Sequence, residues 1–153
     1  MRYVTVLPMP PSVNAAHAVG KQFKYGKAVA RHGSDRAVYR SSEYTDWLQY
    51  ASIEFRKQFP YGVEKKLQGR IHIDYIFVFP TAAGDTDNRV KVCQDFLQGK
   101  FFDNDSQIDE PHPTKRIMKD AKGEKGKAII IMTEIPDRRY DDPMILFKEI
   151  MER

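Results

Sequence analysis

The sequence predicts an α+β fold, a single domain in which a small mixed β-sheet packs against two main helices. Apolar residues alternate along residues 70–79, which is the pattern of a strand, and they recur at helical spacing between residues 44 and 55. Strand-like and helix-like segments follow one another in the order strand, loop, helix, strand, helix, strand, strand. We find no internal repeat, so one domain accounts for this order.

The first half of the chain is predicted to hold a strand, a basic loop and a helix. Residues 2–7 are rich in β-branched and aromatic side chains and stop at Pro8. Residues 21–40 show no clear period and carry a net charge of +5, six basic residues against one acidic residue. The helix is expected to begin at Ser41 or Ser42, either of which is a suitable N-cap. Its apolar stripe, expected in the core, is Tyr44, Trp47, Leu48, Ala51 and Phe55.

The second half is predicted to hold the clearest strand, over residues 70–79, and then a short helix over residues 87–98. Gly99 follows this helix at the position where glycine commonly ends one. The stripe of Val90, Cys93 and Leu97 makes Cys93 a core residue rather than a nucleophile.

The chain is expected to end in a β-hairpin and a tail. Strands near 114–118 and 127–134 would be joined by a turn that contains two glycines. The folded domain is therefore predicted to cover residues 1–135. Residues 136–153 would form a C-terminal tail with a short amphipathic helix for docking or self-association.

Composition limits the classes of function. There are 25 Lys and Arg residues against 21 Asp and Glu, a net charge of +4, which permits a polyanionic partner without requiring one. The single cysteine, Cys93, excludes an internal disulfide and a multi-cysteine metal site. We find neither a signal peptide nor an apolar run of membrane-spanning length, so a cytoplasmic protein is expected.

Charge is segregated along the second half of the chain. Residues 81–110 carry a net charge of −4, whereas residues 113–127 carry a net charge of +4. Such runs are often ordinary solvated loops. An acidic pocket between basic segments also suits a protein that holds phosphates around a divalent cation.

Two aspartates stand where the central strand gives way to the second helix. If Asp85 is extended, Asp85 and Asp87 project to the same side. Two carboxylates on one rim are the beginning of a site for a hard cation such as Mg²⁺ or Mn²⁺. The alternative is that one of them only caps the helix, and for this short motif alone capping is the simpler interpretation.

The residues that follow favour a chemical role. Asp87, Lys91 and Asp95 fall at i, i+4 and i+8 and so share one helical face. They could form an ordinary salt-bridge ladder, or place an ammonium group beside metal-binding carboxylates. A further carboxylate comes from Asp103 or Asp105. A calcium-binding EF-hand is excluded there, because Ile108 stands where glycine is needed.

These residues resemble a known family. The combination Asp85-x-Asp87-Asn88-x-x-Lys91-x-x-x-Asp95-x-Leu97, followed by Asp105-x-Gln107-Ile108, is similar to the RusA family, and so is the opening Leu7-Pro8-x-Pro10-Pro11-Ser12-x-Asn14. RusA proteins are small homodimeric endonucleases that resolve Holliday junctions, found in bacteria and often carried by prophages. The resemblance covers nearly all of the predicted domain, so residues 1–135 are expected to form a RusA-like nuclease domain.

The resemblance implies the site residues. Asp85, Asp87 and Asp105 would bind Mg²⁺, with Mn²⁺ as an alternative, and Lys91 would be the catalytic lysine. Asp95 would play a supporting part. The family pattern has a pair of aspartates where this sequence has Asn104-Asp105, so Asp103 competes with Asp105 for the third position.

The resemblance also implies branched DNA, especially four-way junctions, as substrate, and a homodimer with two equivalent sites. Phosphate contacts are expected from basic residues on two segments, namely Lys21, Lys24, Lys27, Arg31, Lys115, Arg116 and Lys119. Phe23 and Tyr25 either enter the open centre of a junction or pack against the domain.

Three alternatives remain at this point: a nuclease for other branched DNA such as flaps, a junction-binding protein without activity, and a fold that a divalent cation merely stabilises. The histidines give little support to a metal site of another kind. His17, His32, His72 and His112 show no metal-ligand spacing in the sequence, although His112 is close to Asp109 and Glu110.

Overall fold

The computed structural model describes residues 1–12, 17–20, 22–24, 27–29, 37–118, 125–136, 144, 148 and 151–152, and between residues 17 and 40 it describes backbone only. The strands are β1 (Arg2–Pro8), β2 (His17–Gly20), β3 (Gln22–Lys24), β4 (Lys27–Val29), β5 (Ala37–Arg40), β6 (Arg70–Phe79), β7 (Ile108–Ile117) and β8 (Lys127–Ile135). The helices are α1 (Ser42–Gln58) and α2 (Asp87–Leu97), and a short 3₁₀ turn covers Asp105–Gln107.

The main sheet is mixed and has the strand order β1-β8-β6-β7. β6 is antiparallel to β8 and parallel to β7, and β1 is antiparallel to β8. The predicted α+β class and the predicted order of elements are confirmed. The predicted final hairpin is wrong, because β7 and β8 lie on opposite sides of β6 and do not pair with each other.

β7 begins at Ile108, well before the strand that was expected near residues 114–118. The sequence hides this start because Pro111 and Pro113 cannot donate to a strand ladder. β7 is an edge strand that pairs only with β6, so alternate backbone groups point away from the sheet. Prolines at two such alternate positions are tolerated on an edge.

The core lies on one face of the sheet. Residues of β6 at odd positions, from Ile71 to Phe79, are all buried, as the predicted alternation requires. Both helices contribute to this core, where Trp47 of α1 packs edge-on against Phe96 of α2 at 5.5 Å between ring centroids. Cys93 is fully buried, and burial raises the pKa of its thiol, so the prediction that it is a core residue is confirmed.

The helix ends agree with the sequence signals. Ser41 is the N-cap of α1, and its Oγ accepts a hydrogen bond from the backbone N–H of Tyr44 at 3.1 Å. Beyond α2, Gly99 has φ of +80°, a left-handed conformation that glycine adopts without strain. This short helix therefore ends where the sequence predicts.

The free edge of β1 is covered by a side chain rather than a strand. Oε1 of Gln58 accepts from the backbone N–H of Val6 at 2.9 Å, and Nε2 of Gln58 donates to the Val6 carbonyl at 2.6 Å. This carboxamide satisfies backbone groups that would otherwise invite another strand to pair. On the second face of the sheet, Val4 and Val6 remain exposed.

Residues 21–40 contain more structure than the loop expected there: β2 pairs with β5, and β3 pairs with β4, both antiparallel. In the tail, Met144, Lys148 and Met151 have helical backbone. The backbone N–H of Glu152 donates to Lys148 O at 3.0 Å. Most of the tail lies outside the described residues, so its amphipathic helix stays a prediction. No helix in the described part is long and apolar enough to span a membrane.

Candidate metal and DNA site

A tight turn leads from β6 to α2. Gly84 has φ of +154°, and a Cβ at this position would lie 2.4 Å from the ring of Phe79. Only glycine fits this close approach and this backbone conformation. The turn therefore depends on Gly84 to bring Asp85 from the end of the central strand to the start of α2.

Asp85 is held by the first turn of α2. Its Oδ1 accepts from the backbone N–H of Asp87 at 3.2 Å, and its Oδ2 accepts from Nδ2 of Asn88. Thr86 is the N-cap residue and forms no side-chain capping bond, so Asp85 satisfies a free N–H of the first turn as a capping residue would, whereas Asp87 is the first helical residue and does not cap. Both carboxylates are exposed, and among the described residues no basic side chain forms a salt bridge with either of them.

Arg89 is a positioning residue that the sequence pattern did not reveal. Its Nε donates to the backbone carbonyl of Asp85 at 3.0 Å, and a terminal nitrogen donates to the carbonyl of Pro10. Its guanidinium also lies 5.4 Å from the centre of the Phe79 ring. Burial lowers the pKa of Arg89 from its usual value. Arg89 therefore ties the proline-rich turn after β1 to the backbone of Asp85.

Lys91 joins the helix to the segment after it. Its Nζ lies 3.0 Å from Oδ1 of Asp95 and 3.2 Å from Oδ2 of Asp105. The hydrogen bond to Asp95, followed by the one to Asp105, raises the pKa of Lys91 despite partial burial. The i, i+4 pair predicted between Lys91 and Asp95 is present, and Asp105 joins it from the 3₁₀ turn.

The two candidates for the third carboxylate have different partners. Asp105 faces Lys91 on α2, whereas Oδ1 of Asp103 lies 2.8 Å from Nζ of Lys66. Asn104 caps the 3₁₀ turn, since its side chain accepts from the backbone N–H of Ser106 at 2.9 Å. The turn thus separates two aspartates that are close in sequence.

Lys115, expected to contact DNA, lies under the turn that leads to Asp85. Its Nζ donates to the carbonyls of Ala82 and Gly84, the latter at 2.9 Å, and lies 5.4 Å from the centre of the Phe79 ring. Arg116 is exposed.

The other expected DNA contacts cannot be placed. Lys21, Arg31, Lys119 and Tyr25 lie outside the described residues, and of Lys24, Lys27 and Phe23 only the backbone is described.

The histidines are arranged differently from what their spacing suggested. Within the described part of the chain, the group of side chains that reaches metal-ligand distances is His72, Asp74 and His112. Asp85, Asp87 and Asp105 do not form such a group there. The sequence spacing did not indicate this group, which forms because the parallel register places His112 opposite Asp74.

The aspartates still fit a divalent cation by their chemistry. Mg²⁺ prefers carboxylate oxygens and keeps several of its waters, so it does not require a closed set of protein ligands. Asp85, Asp87 and Asp105 are all exposed and can turn toward a hydrated cation.

The comparison with known families decides what kind of protein carries this site. A family model described as "Endodeoxyribonuclease RusA" matches residues 20–131. The chain belongs to the RusA family. No curated protein sequence matches it.

This RusA protein is therefore an endodeoxyribonuclease of the class that resolves Holliday junctions. The matched residues include the turn at Gly84, the helix α2 and the turn at Asp105, but not β1. The sheet nevertheless includes β1, which pairs with β8. The proline-rich turn after β1 contacts the candidate site through Arg89.

Replacing Arg89 with lysine should impair cleavage more than folding. A single ammonium cannot donate to the carbonyls of Asp85 and Pro10 with the geometry of a guanidinium, so the position of Asp85 should change. We expect junction cleavage about 10- to 100-fold slower, because small displacements of reacting groups are costly. Cleavage rate and melting temperature should be measured together.

The matched control is Arg56→Lys, which changes an exposed arginine on α1 that has no side-chain hydrogen bond within the described part of the chain. Equal cleavage rates for Arg89→Lys and Arg56→Lys would contradict the positioning role.

Proposed function

We propose that this RusA protein cuts four-way DNA junctions with Mg²⁺ bound by Asp85, Asp87 and Asp105. The observation that carries the proposal is the contact of Lys91 with Asp105, which joins the face of α2 that bears Asp87 to the 3₁₀ turn. Two acidic segments that are separate in sequence thereby become one surface. Mn²⁺ is a second cation that suits the same oxygen ligands.

The bound cation would supply an activated water and Lewis-acid stabilisation of the charge that develops on phosphate. The chain's own residues prepare the site for this chemistry. Asn88 fixes one oxygen of Asp85, and the backbone N–H of Asp87 fixes the other. The Asp85 carboxylate therefore starts from a defined position, which lowers the cost of ordering it on binding.

Lys91 would stabilise negative charge on the non-bridging phosphate oxygens. It contacts two carboxylates, so loss of the contact with Asp105 would leave it held by Asp95 at 3.0 Å. Asp95 would therefore have a supporting role, which is to hold the ammonium of Lys91 in place. Asp95 keeps the ammonium on the acidic surface when Asp105 binds another positive group.

DNA arms would be held by phosphate contacts from basic residues around the acidic surface. The exposed Arg116 supports this for β7, and the net charge of +5 over residues 21–40 supports it for the preceding segment. Such contacts are independent of base sequence and weaken steeply with salt. Lys115 would serve mainly to hold the turn before Asp85, because its ammonium already donates to two carbonyls.

The main test is cleavage of a labelled four-way junction with Mg²⁺ or Mn²⁺, beside a linear duplex and a flap. We expect paired symmetric nicks in the junction alone. Asp87→Asn should cut at least about 100-fold more slowly, the scale expected when a group that stabilises the transition state is lost. It should still bind the junction.

The control for this experiment is Glu64→Gln, an exposed carboxylate between α1 and β6, which should cut at the normal rate. Preferential cutting of the flap would replace the proposed substrate. Binding without cutting in either cation would instead establish a junction-binding protein without activity.

A pair of variants tests the choice of the third carboxylate. Asp105→Asn should reduce cleavage by about 10²- to 10³-fold, because it removes a carboxylate from the proposed cation site. Asp103→Asn should cut nearly normally, since its carboxylate forms an exposed salt bridge with Lys66 worth about 0–1 kcal/mol. Single-turnover rates on the junction measure both. The reverse order of effects would assign the third position to Asp103.

We also propose a homodimer, in which two copies present equivalent sites to a symmetric junction. The second face of the sheet supports this, because it carries apolar side chains away from the core, namely Val4, Val6, Ile76, Val78, Ile129 and Ile131. Val4 is 49% exposed and Val6 is 39% exposed. A patch of this kind on a sheet is better buried against another surface than left in water.

Sedimentation equilibrium with Val4→Asp tests this interface. A charge within this apolar patch, on its β1 side, should weaken dimerisation by at least about tenfold, equivalent to 1.4 kcal/mol. The matched control is Ile53→Asp on α1, because Ile53 is 50% exposed and belongs to another surface. A stable Val4→Asp dimer, or dissociation caused by Ile53→Asp, would exclude the sheet face as the interface.

A further inference from the structure

The second face of the sheet also carries a polar cluster at the β7 edge. Nε2 of His72 lies 3.1 Å from Oδ1 of Asp74, and Nδ1 of His112 lies 4.0 Å from the same oxygen. One ligand atom from each of the three residues lies within 4.8 Å of the others. The two imidazole rings meet edge-on with their centroids 4.7 Å apart.

The backbone fixes this arrangement. His72 and Asp74 are two residues apart on β6, so their side chains share one face of the sheet. The parallel register pairs Asp74 with His112 and His72 with Glu110. The four side chains therefore occupy neighbouring positions on two adjacent strands, and do not depend on a loop for their proximity.

Glu110 sets the orientation of His72. Oε2 of Glu110 lies 2.8 Å from Nδ1 of His72, and Oδ1 of Asp74 lies 3.1 Å from Nε2 on the other side of the ring. With a cation bound, Nδ1 would donate its hydrogen to Glu110 and leave Nε2 as the metal ligand. A carboxylate that binds the remote nitrogen of a metal-ligating histidine is a recurring feature of zinc sites, where it fixes the tautomer and increases basicity.

We propose that His72, Asp74 and His112 form a second metal site, for a transition-metal cation of the Zn²⁺ class, with Glu110 as the residue that orients His72. Two imidazole nitrogens and one carboxylate oxygen are the ligand set that Zn²⁺ accepts and Mg²⁺ disfavours. Water would take the fourth position at His112, which lies on the edge strand β7, to the side of the proposed dimer patch on β1, β8 and β6, and is 62% exposed in its side chain.

The spacing requires only small adjustments. Zn–N bonds of about 2.0–2.1 Å place tetrahedral ligand atoms roughly 3.3 Å apart. The pair of His72 and Asp74 already has this separation, at 3.1 Å. The longer separation between Asp74 and His112 can close by rotation of two side chains that are 40% and 62% exposed.

The competing explanation is an ion-pair cluster without metal. Burial opposes a charged His72, but hydrogen bonds to Glu110 and Asp74 outweigh it and raise the pKa of His72. In such a cluster His72 would be protonated, and the interactions of His72 with Glu110 and Asp74 would form without His112. The requirement for His112 therefore separates the two explanations.

A cation at the proposed site would link β6 and β7, the strands next to the turns that carry Asp85 and Asp105. β6 ends before the turn at Gly84, and β7 begins directly after the 3₁₀ turn that carries Asp105. A cation bound to residues of both strands would stabilise the edge strand β7 against opening. Zn²⁺ at about 100 times its dissociation constant should raise the melting temperature by about 5–10 °C for a chain of this size.

The test is titration of the full chain, first stripped of metal with a chelator, with Zn²⁺ in a calorimeter and with Co²⁺ by visible absorption. We expect one Zn²⁺ per chain. His112→Gln and Asp74→Asn should abolish this binding and the Co²⁺ spectrum. Glu110→Gln should weaken the affinity by about 10- to 100-fold, as expected for loss of an orienting partner.

Controls separate this site from other ligands. His17→Gln and His32→Gln change the remaining histidines and should bind Zn²⁺ normally. Asp87→Asn should also bind Zn²⁺ normally, although it should cut the junction much more slowly. The proposal about zinc therefore stands or falls independently of the proposed cleavage site. Because His112 is exposed, His112→Gln should have the same melting temperature as the unmodified protein when both are metal-free. Any loss of Zn²⁺ binding in this variant would then not be caused by unfolding.

Three results would overturn the proposal: no stoichiometric Zn²⁺ binding, normal binding by His112→Gln or Asp74→Asn, and loss of binding in Asp87→Asn. The last result would place the cation among the aspartates instead.

Discussion

The parallel pairing of β6 with β7 is the constraint on which the rest of the structure depends. Parallel neighbours cannot be joined by a tight turn, so the chain must cross from the end of one strand back to the start of the next. Here α2 lies in the middle of that crossing, and the 3₁₀ turn Asp105–Gln107 completes it. The connection places Asp85 at its beginning, Lys91 in its helix and Asp105 at its end. The candidate site is thus built from a connection that the sheet topology requires.

Lys91 shows how this crossing converts sequence separation into proximity. Asp105 is 14 residues away, yet its carboxylate is 3.2 Å from the lysine ammonium. Asp103 stands only two residues earlier and turns instead to Lys66. The sequence favoured Asp105 through its spacing to Gln107 and Ile108 in the family pattern, but it did not show which partner either aspartate has. Their difference arises from tertiary partners on opposite sides of the 3₁₀ turn.

The features that could be predicted from the sequence are those determined by residues close together along the chain. The N-cap at Ser41, the end of α2 at Gly99 and the alternation of β6 each depend on neighbouring residues, and each is present. Pairing between strands depends on the whole sheet. Because of Pro111 and Pro113, the sequence predicted too short a strand for β7. A short β7 followed by a glycine-containing turn was then predicted to pair with β8, although it pairs with β6. With the wrong partner strand, His112 could not be placed beside Asp74. The role of Arg89 was hidden for the same reason, since its partner Pro10 is far away in sequence.

The pairing of β6 with β7 also places two groups of possible metal ligands at different positions. The aspartates lie along the crossing connection and offer only oxygen, whereas the cluster of His72, Asp74 and His112 lies on the sheet face away from the core and offers nitrogen as well. Hard and borderline cations differ in preference for these ligands, so two cations could be sorted by chemistry without competing for one site. From His72 to the end of β6 the strand extends about 23 Å, at about 3.3 Å per residue, before the turn to Asp85 begins. Asp105 lies at the other end of the crossing, just before the start of β7, where this strand pairs with the first residues of β6. Any influence of the histidine cluster on cleavage would therefore pass through the position of β7 and Asp105, and not through direct contact with Asp85.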